Sequence, residues 1–193
     1  AALGLEMSDL FSATRAGDAV VDAYVYTDEQ GEPLTRVLRT WPKGFTQESW
    51  NTRTSTWKSF LGNARRVPYR LPDLLAADHV WIVEGEKDVE SLARVGVVAT
   101  TLLGGAGKWR EEYAQYFRGR HVEFVADNDE PDARGHRPGI EGVLKIKNAL
   151  RGVAGGLDVW INPHGKDVTD LLGAGFGLGD LERYVTATDE LFE

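Results

Sequence analysis

The stretch that decides the fold is HVEFVADND at residues 121–129, an apolar run that ends in two carboxylates. Such a run is typical of a strand buried in a parallel sheet. The catalytic and binding groups of α/β proteins collect at the carboxyl ends of these strands. Because side chains at i and i+2 of an extended chain share a face, we expect Asp127 and Asp129 to point the same way.

Two further apolar runs also end near acids. Residues 80–84 read VWIVE and are followed by Gly85, and residues 157–161 read LDVWI and lead into GKD at 165–167. Neighbouring carboxylates repel each other unless a cation lies between them, and carboxylate oxygens are ligands that Mg²⁺ prefers. The strand ends therefore predict a divalent metal site, although DNDEPD at residues 127–132 is also a good turn sequence. The acids of this predicted site are Glu84, Asp127, Asp129 and Asp167.

Strand and helix patterns alternate from residue 79 onward, which predicts an α/β domain with a parallel sheet flanked by helices. The earlier part has the pattern of a β-hairpin at residues 20–41 and is predicted to be a smaller β-rich subdomain. We expect domains at 1–78 and 79–193, with residues 1–18 as a lead-in and 43–59 as a loop or short third strand. Predicted strands cover 80–84, 97–101, 121–126 and 157–161, and predicted helices cover 72–77, 87–95, 110–117, 139–151, 168–173 and 179–185.

Composition narrows the function classes. The 193 residues carry a net charge of −8 and include no cysteine. A protein that coats nucleic acid is usually basic, so we expect any contact with nucleic acid to be local. The absence of cysteine excludes disulfides and zinc fingers, and a cytoplasmic location is expected. No apolar stretch is long enough to span a membrane, and the AALG start suggests a piece excised from a longer protein.

Four other patterns carry weaker signals. The turn GGAGK at residues 104–108 is not a P-loop, because Leu102 and Trp109 replace the required glycine and Ser or Thr. The four histidines include no helical pair, which argues against a zinc hydrolase. Glu86 and Asp88 are expected to be first-turn helix acids favoured by the helix dipole. The tryptophans at 41, 50 and 57 lie among basic residues, a pattern that fits either a small β core or stacking on a single strand.

The motif EGEKD at residues 84–88, with DND at 127–129 and GKD at 165–167, resembles the Toprim domain. Bacterial-type DNA primases, type IA and type II topoisomerases, some nucleases and some recombination proteins share this domain. Within it, the chain most resembles primases and primase-helicases of phages and mobile elements. This closer likeness is carried by EGEKD at residues 84–88, by the turn at 104–108 and by DNDEP at 127–131 before a helix. The segment RRVPYRLP at 65–72 also resembles what precedes Toprim in those proteins.

The resemblance implies a metal-dependent DNA primase core, a nucleotidyltransferase that makes short RNA primers from ribonucleoside triphosphates on single-stranded DNA. It implies Mg²⁺ or Mn²⁺ as cofactor, and a replicative helicase or a fused helicase domain as partner. Catalytic and metal-binding roles fall to Glu84, Asp127 and Asp129, Glu84 also being a general acid/base, and Asp167 is the fourth metal ligand. Nucleotide or nucleic-acid binding falls to Arg65, Arg66, Arg70, Lys87, Lys108 and Lys166.

Two departures from the family pattern keep alternatives open. Replicative primases often have Asp-x-Asp at the last site, where this chain has DVTD at residues 167–170, so the role of Asp170 is open. The Cys/His zinc module of cellular primases is also missing, either removed or never present. A Toprim nuclease and a non-catalytic module that binds DNA or a partner are the alternatives. A topoisomerase is the least favoured, because no separate domain carries a convincing nucleophilic tyrosine.

Overall fold

The computed structural model describes residues 19–185, so the lead-in expected at residues 1–18 lies outside the described part. The chain divides into a first unit, Ala1–Pro72, and a second unit, Asp73–Glu193. The domain boundary expected after residue 78 lies between α1 (Leu71–Ala76) and the first strand of the second unit. Among the described residues, every helix is too short or too polar to cross a bilayer.

The first unit contains a four-stranded antiparallel sheet whose strands pair in chain order. Its inner face buries Tyr26 and Leu38 completely, and Tyr69 packs against Tyr26 with ring centroids 5.0 Å apart. The predicted hairpin is confirmed, and residues 43–59, expected to be a loop or a short third strand, hold two strands. The strands are β1 (Ala19–Thr27), β2 (Pro33–Trp41), β3 (Gly44–Asn51) and β4 (Thr56–Lys58).

A buried ion pair lies in the middle of this sheet. Arg36 of β2 and Glu48 of β3 are direct cross-strand partners, and both are fully buried. Arg36 Nε lies 2.6 Å from Glu48 Oε2, and the guanidinium carbon lies 4.5 Å from the ring centroid of Trp57. Opposite charge, a hydrogen bond and an aromatic face together offset the cost of removing two charges from water.

The second unit contains a five-stranded sheet with helices packed on it. In sheet order its strands are β6 (Ala99–Thr100), β5 (His79–Ile82), β7 (His121–Ala126), β8 (Gly156–Ile161) and β9 (Glu182–Arg183). The predicted parallel sheet is confirmed for β5 to β8, whereas β9 is antiparallel to β8. The helix predicted at 179–185 is therefore wrong: Leu178–Asp180 forms a 3-10 turn, and the chain then pairs with the exposed edge of β8. The helices are α2 (Glu86–Arg94), a 3-10 helix (Glu111–Phe117), α3 (Pro138–Leu150) and α4 (Val168–Gly173).

The core of the second unit fixes the ends of its central strands. Ile82 of β5 and Phe124 of β7 are fully buried and are partners in the parallel register. At the carboxyl end of β7, helix α3 begins directly against the chain at Asp127. A Cβ atom on Gly139 would lie 2.7 Å from the Asp127 carbonyl oxygen, so only glycine permits this approach. The close packing of α3 holds Asp127 at the edge of the sheet.

Candidate metal centre

Three carboxylates meet at the carboxyl edge of the second sheet. Glu84 follows β5, and Asp127 and Asp129 follow β7, its parallel neighbour. One oxygen from each of the three groups lies within 4.8 Å of the other two. We call these three residues the acid cluster. The three strand-end acids therefore lie together, and their metal-binding role stays a prediction.

Burial and mutual repulsion disfavour the charged forms of this cluster. Burial, followed by the charge of Glu84, raises the pKa of Asp127 to about 7. The pKa of Glu84 is also raised, chiefly by burial, while its hydrogen bond with Asp127 acts in the opposite direction. The Glu84 Oε2 atom is buried and has no hydrogen-bond partner among the described residues. A buried acceptor of this kind is costly, and a cation with oxygen ligands would relieve the cost.

One ammonium group already faces the acid cluster. Lys166 Nζ lies 2.7 Å from Asp129 Oδ1 and 3.3 Å from Asp127 Oδ2, and these contacts raise the pKa of the lysine. Its loop is tied to the strand ends, because the backbone N–H of Asn128 donates to the Lys166 carbonyl at 2.8 Å. The fully buried Asn162 also donates through Nδ2 to the Asp167 carbonyl at 2.7 Å. Lys166 thus supplies a positive charge in direct contact with two of the three acids.

Asp167 takes a position beside this cluster rather than within it. Its carboxylate caps α4 by accepting from the Asp170 amide at 2.7 Å, and it lies 3.8 Å from Lys87 Nζ. Asp170 in turn accepts from the Lys166 amide at 3.2 Å. The role of Asp167 as a fourth ligand stays a prediction, and Asp170 serves to hold the lysine loop.

Asp88 is a residue that the sequence reasoning missed. It is not a solvated first-turn acid: it is 6% exposed and accepts from the Thr169 hydroxyl at 2.5 Å and the Thr169 amide at 3.3 Å. Burial, with the charges of Asp167 and Asp127 adding to it, raises its pKa to about 6. The one sequence signal for a packed polar face was Ser91, a small polar residue that lies three positions later on the same face of the helix.

The glycine-rich turn lies next to Glu84. Gly104 and Gly105 have φ values of 87° and 89°, a region that favours glycine. The Thr101 hydroxyl donates to the Glu84 carbonyl at 2.7 Å, and a Cβ on Gly105 would lie 3.7 Å from that oxygen. Lys108 is exposed at the end of the turn. The turn therefore brings its backbone near Glu84 and adds the exposed ammonium group of Lys108.

The predicted nucleic-acid residues of the first unit are partly engaged within that unit. Arg65 forms a double hydrogen bond with Glu29, which lowers the pKa of that glutamate to about 2. Arg66 donates to the carbonyl groups of Ala64 at 2.9 Å and Gly62 at 3.3 Å. Arg70 has a φ of 55°. Their predicted contact with nucleic acid, and that of Lys87, Lys108 and Lys166, stays a prediction.

Comparisons with known proteins identify the fold. No family model and no curated protein matches the sequence. The primase fragment of the bacteriophage T7 primase-helicase superposes with a TM-score of 0.57 at 20% identity, over 82% of this chain and 61% of that one. A DNA primase domain from Pseudomonas aeruginosa gives 0.57 at 23% identity, over 79% and 46%.

A third match comes from a bacteriophage T7 lagging-strand DNA polymerase assembly with primase domains bound to an RNA/DNA hybrid. It has a TM-score of 0.56 at 20% identity, over 79% of this chain and 70% of that one. The chain spans about three-fifths of the T7 primase fragment and less than half of the P. aeruginosa domain. At these identities the likeness concerns the fold. The resemblance predicted from the motifs is confirmed at this level: the chain has the mixed α/β fold of DNA primase domains.

Proposed function

We propose that this chain is the catalytic core of a DNA primase. It would join ribonucleoside triphosphates on a single-stranded DNA template and release pyrophosphate, giving a short RNA primer. The observation that carries the proposal is the acid cluster of Glu84, Asp127 and Asp129 at the carboxyl edge of the sheet. The fold shared with primase domains supports the same assignment.

The residues of the acid cluster suit Mg²⁺ or Mn²⁺. They offer only oxygen ligands, and the buried Glu84 Oε2 atom lacks a partner among the described residues. When bound, such an ion stabilises the charge that develops during nucleotidyl transfer. Glu84, Asp127 and Asp129 would hold it, with Asp167 as the candidate fourth carboxylate.

The side chains around the cluster would position the reactants. Lys166 contacts the cluster through its ammonium group and would turn toward the triphosphate once a metal ion compensates the acids. Lys87 and Lys108 are the other candidates for phosphate contacts. Glu84 is also the candidate acceptor for the proton of the attacking hydroxyl.

The template would bind through local features, since the net charge of −8 opposes general binding of nucleic acid. We propose that Arg65, Arg66 and Arg70 contact the phosphate backbone of the template. Trp41 is 70% exposed, so it does not fill the β core and is available for base stacking. A replicative helicase or a fused helicase domain is the proposed partner, and the cytoplasm the proposed location.

The test is primer synthesis by the purified chain on single-stranded DNA with labelled ribonucleotides and Mg²⁺ or Mn²⁺. We expect template-dependent oligomers from the wild type and none from Asp129→Asn, because the variant removes one carboxylate of the cluster. Glu130→Gln, a change at the exposed neighbouring acid, is the matched control and keeps activity.

The other outcomes select the alternatives. Metal-dependent loss of the DNA without incorporation of nucleotides would assign the same acids to a nuclease. DNA binding that a chelator leaves unchanged, with neither product, would indicate a non-catalytic module. Oligomers made equally well by Asp129→Asn would remove the acid cluster from the reaction.

A further inference from the structure

A second group of potential metal ligands lies at the opposite, amino-terminal edge of the five-stranded sheet. His79 is the first residue of β5 and His121 the first residue of β7, and the parallel register makes them direct partners. Glu123 lies two residues after His121 and therefore on the same face of β7. One ligand atom from each of these three residues lies within 4.8 Å of the other two, and we call them the histidine cluster.

The donor atoms of this cluster converge on one carboxylate oxygen. His79 Nε2 lies 3.0 Å and His121 Nε2 3.8 Å from Glu123 Oε1. The other oxygen, Oε2, accepts a hydrogen bond from the indole N–H of Trp160. This outer contact orients the glutamate, as the partners of metal-binding carboxylates do. Glu123 is nearly buried, whereas both histidine side chains are about half exposed, so an ion can reach the site.

Gly156 makes room for the imidazole of His121. It is the register partner of His121 on β8, and a Cβ atom there would lie 2.3 Å from His121 Nδ1. Any other residue would push the ring out of its position. Asp158, also on β8, lies 3.1 Å from His121 Nε2 through Oδ2, while Arg183 binds its Oδ1 atom at 2.8 Å. The site thus has a shaped cradle and a further carboxylate beside it.

We propose that His79, His121 and Glu123 bind a divalent late first-row transition-metal ion such as Zn²⁺, independently of the acid cluster. Imidazole nitrogen with carboxylate oxygen is a donor set that suits Zn²⁺, Co²⁺ or Ni²⁺, whereas Mg²⁺ prefers oxygen alone. Three protein ligands leave a position for water or for Asp158. The separation of the histidines along the chain hid this pair from the sequence, since only the parallel register joins them.

The test uses Co²⁺ as a spectroscopic probe for Zn²⁺, with excess Mg²⁺ present to occupy the acid cluster. We expect the whole chain to bind one equivalent of Co²⁺ with the visible absorption of nitrogen coordination, and Zn²⁺ to displace it. His79→Asn and His121→Asn each lower the affinity, and Trp160→Phe weakens it by about 10- to 100-fold through loss of the outer contact. His136→Asn, which changes an exposed histidine elsewhere, and Asp129→Asn leave binding unchanged.

Two results would overturn the proposal. One is the absence of saturable Co²⁺ and Zn²⁺ binding in excess Mg²⁺, which would leave His79 and His121 as polar contacts of Glu123 and Asp158. The other is binding that persists in His79→Asn or disappears in Asp129→Asn. His79 is 54% exposed at the start of its strand, so His79→Asn is the variant that tests the site without disturbing the core.

Discussion

The two units treat buried charge in opposite ways. In the first unit, Arg36 and Glu48 are fully buried at 2.6 Å from each other, so that each charge has an opposite partner. In the second unit, the largely buried carboxyl groups of Glu84 and Asp127 face each other, and the pKa of each is raised. The first arrangement is electrostatically balanced within the folded state and needs no added ion. In the second, burial and repulsion outweigh the attraction of Lys166, so the charged carboxyl groups raise the free energy of the folded state until a proton or a metal ion compensates them. This property is expected of a metal centre.

The largest effect should come from breaking the compensated pair. Glu48→Gln leaves the buried guanidinium of Arg36 without its counter-charge, and we expect a loss of about 3–5 kcal/mol in the free energy of unfolding. Urea denaturation measures this loss. Glu32→Gln, at an exposed acid of the same unit, should change stability by less than about 0.5 kcal/mol. A small loss in Glu48→Gln would mean that the pair does not stabilise the sheet.

Removing a charge from the acid cluster should increase stability, whereas breaking the Arg36–Glu48 pair decreases it. In the absence of metal at pH 8, we expect Asp127→Asn to raise the free energy of unfolding by about 1–2 kcal/mol. A rise of one in a pKa corresponds to about 1.4 kcal/mol of lost stability above that pKa, and solvent screening reduces the total for this partly exposed cluster. Urea denaturation in a chelator provides the measurement. Equal or lower stability of the variant at this pH would contradict the like-charge account.

The pH dependence of the wild type follows from the same shifts. The pKa of Asp127 rises from 3.8 to about 7 on folding and that of Asp88 from 3.8 to about 6. The folded state therefore binds more protons in this range, and stability is lost as pH rises from about 4 through 7. We expect Mg²⁺ at about ten times its dissociation constant to return about 1.4 kcal/mol at pH 8. Denaturation at pH 5 and pH 8, with and without Mg²⁺, would show whether the loss and its recovery occur.

The smallest effect concerns the contact between α2 and α4. Thr169→Val removes the hydroxyl that donates to Asp88, and we expect a loss of about 1 kcal/mol in stability. The pKa of Asp88 should rise further, since that hydrogen bond lowers it. Thr169→Ser keeps the hydroxyl and is the matched control. Equal stability of the valine and serine variants would show that the contact is not used.

The sequence was sufficient for features that repeat locally. Apolar runs ending at Glu84 and Asp127 identified the central strands and the edge at which the acids meet, because strand direction fixes where the carboxyl ends lie. It was insufficient where the environment is supplied from far along the chain. Asp88 has the pattern of an ordinary first-turn acid, but it is buried, and its hydrogen bonds come from Thr169 of α4, 81 residues later in the chain.

Pairing between strands produced the other surprises. Residues 179–185 had a helical pattern, but the backbone there completes the edge of the sheet: Glu182 and Arg183 pair with Ile161 and Trp160. Tertiary hydrogen bonding overrides local propensity in so short a segment. The pairing of His79 with His121 is likewise a consequence of register, which no local pattern encodes.

The central claim is that the acid cluster binds a metal ion. Its most direct test is the calorimetric titration of Mg²⁺ into the chain at pH 8, where the carboxyl groups carry the most negative charge. We expect saturable binding to the wild type and to Glu130→Gln, and binding about tenfold weaker or more in Asp129→Asn, since a metal ligand is worth at least as much as an outer-shell partner. Equal binding by all three proteins, or no binding to any of them, would contradict the assignment of Glu84, Asp127 and Asp129 as a metal centre.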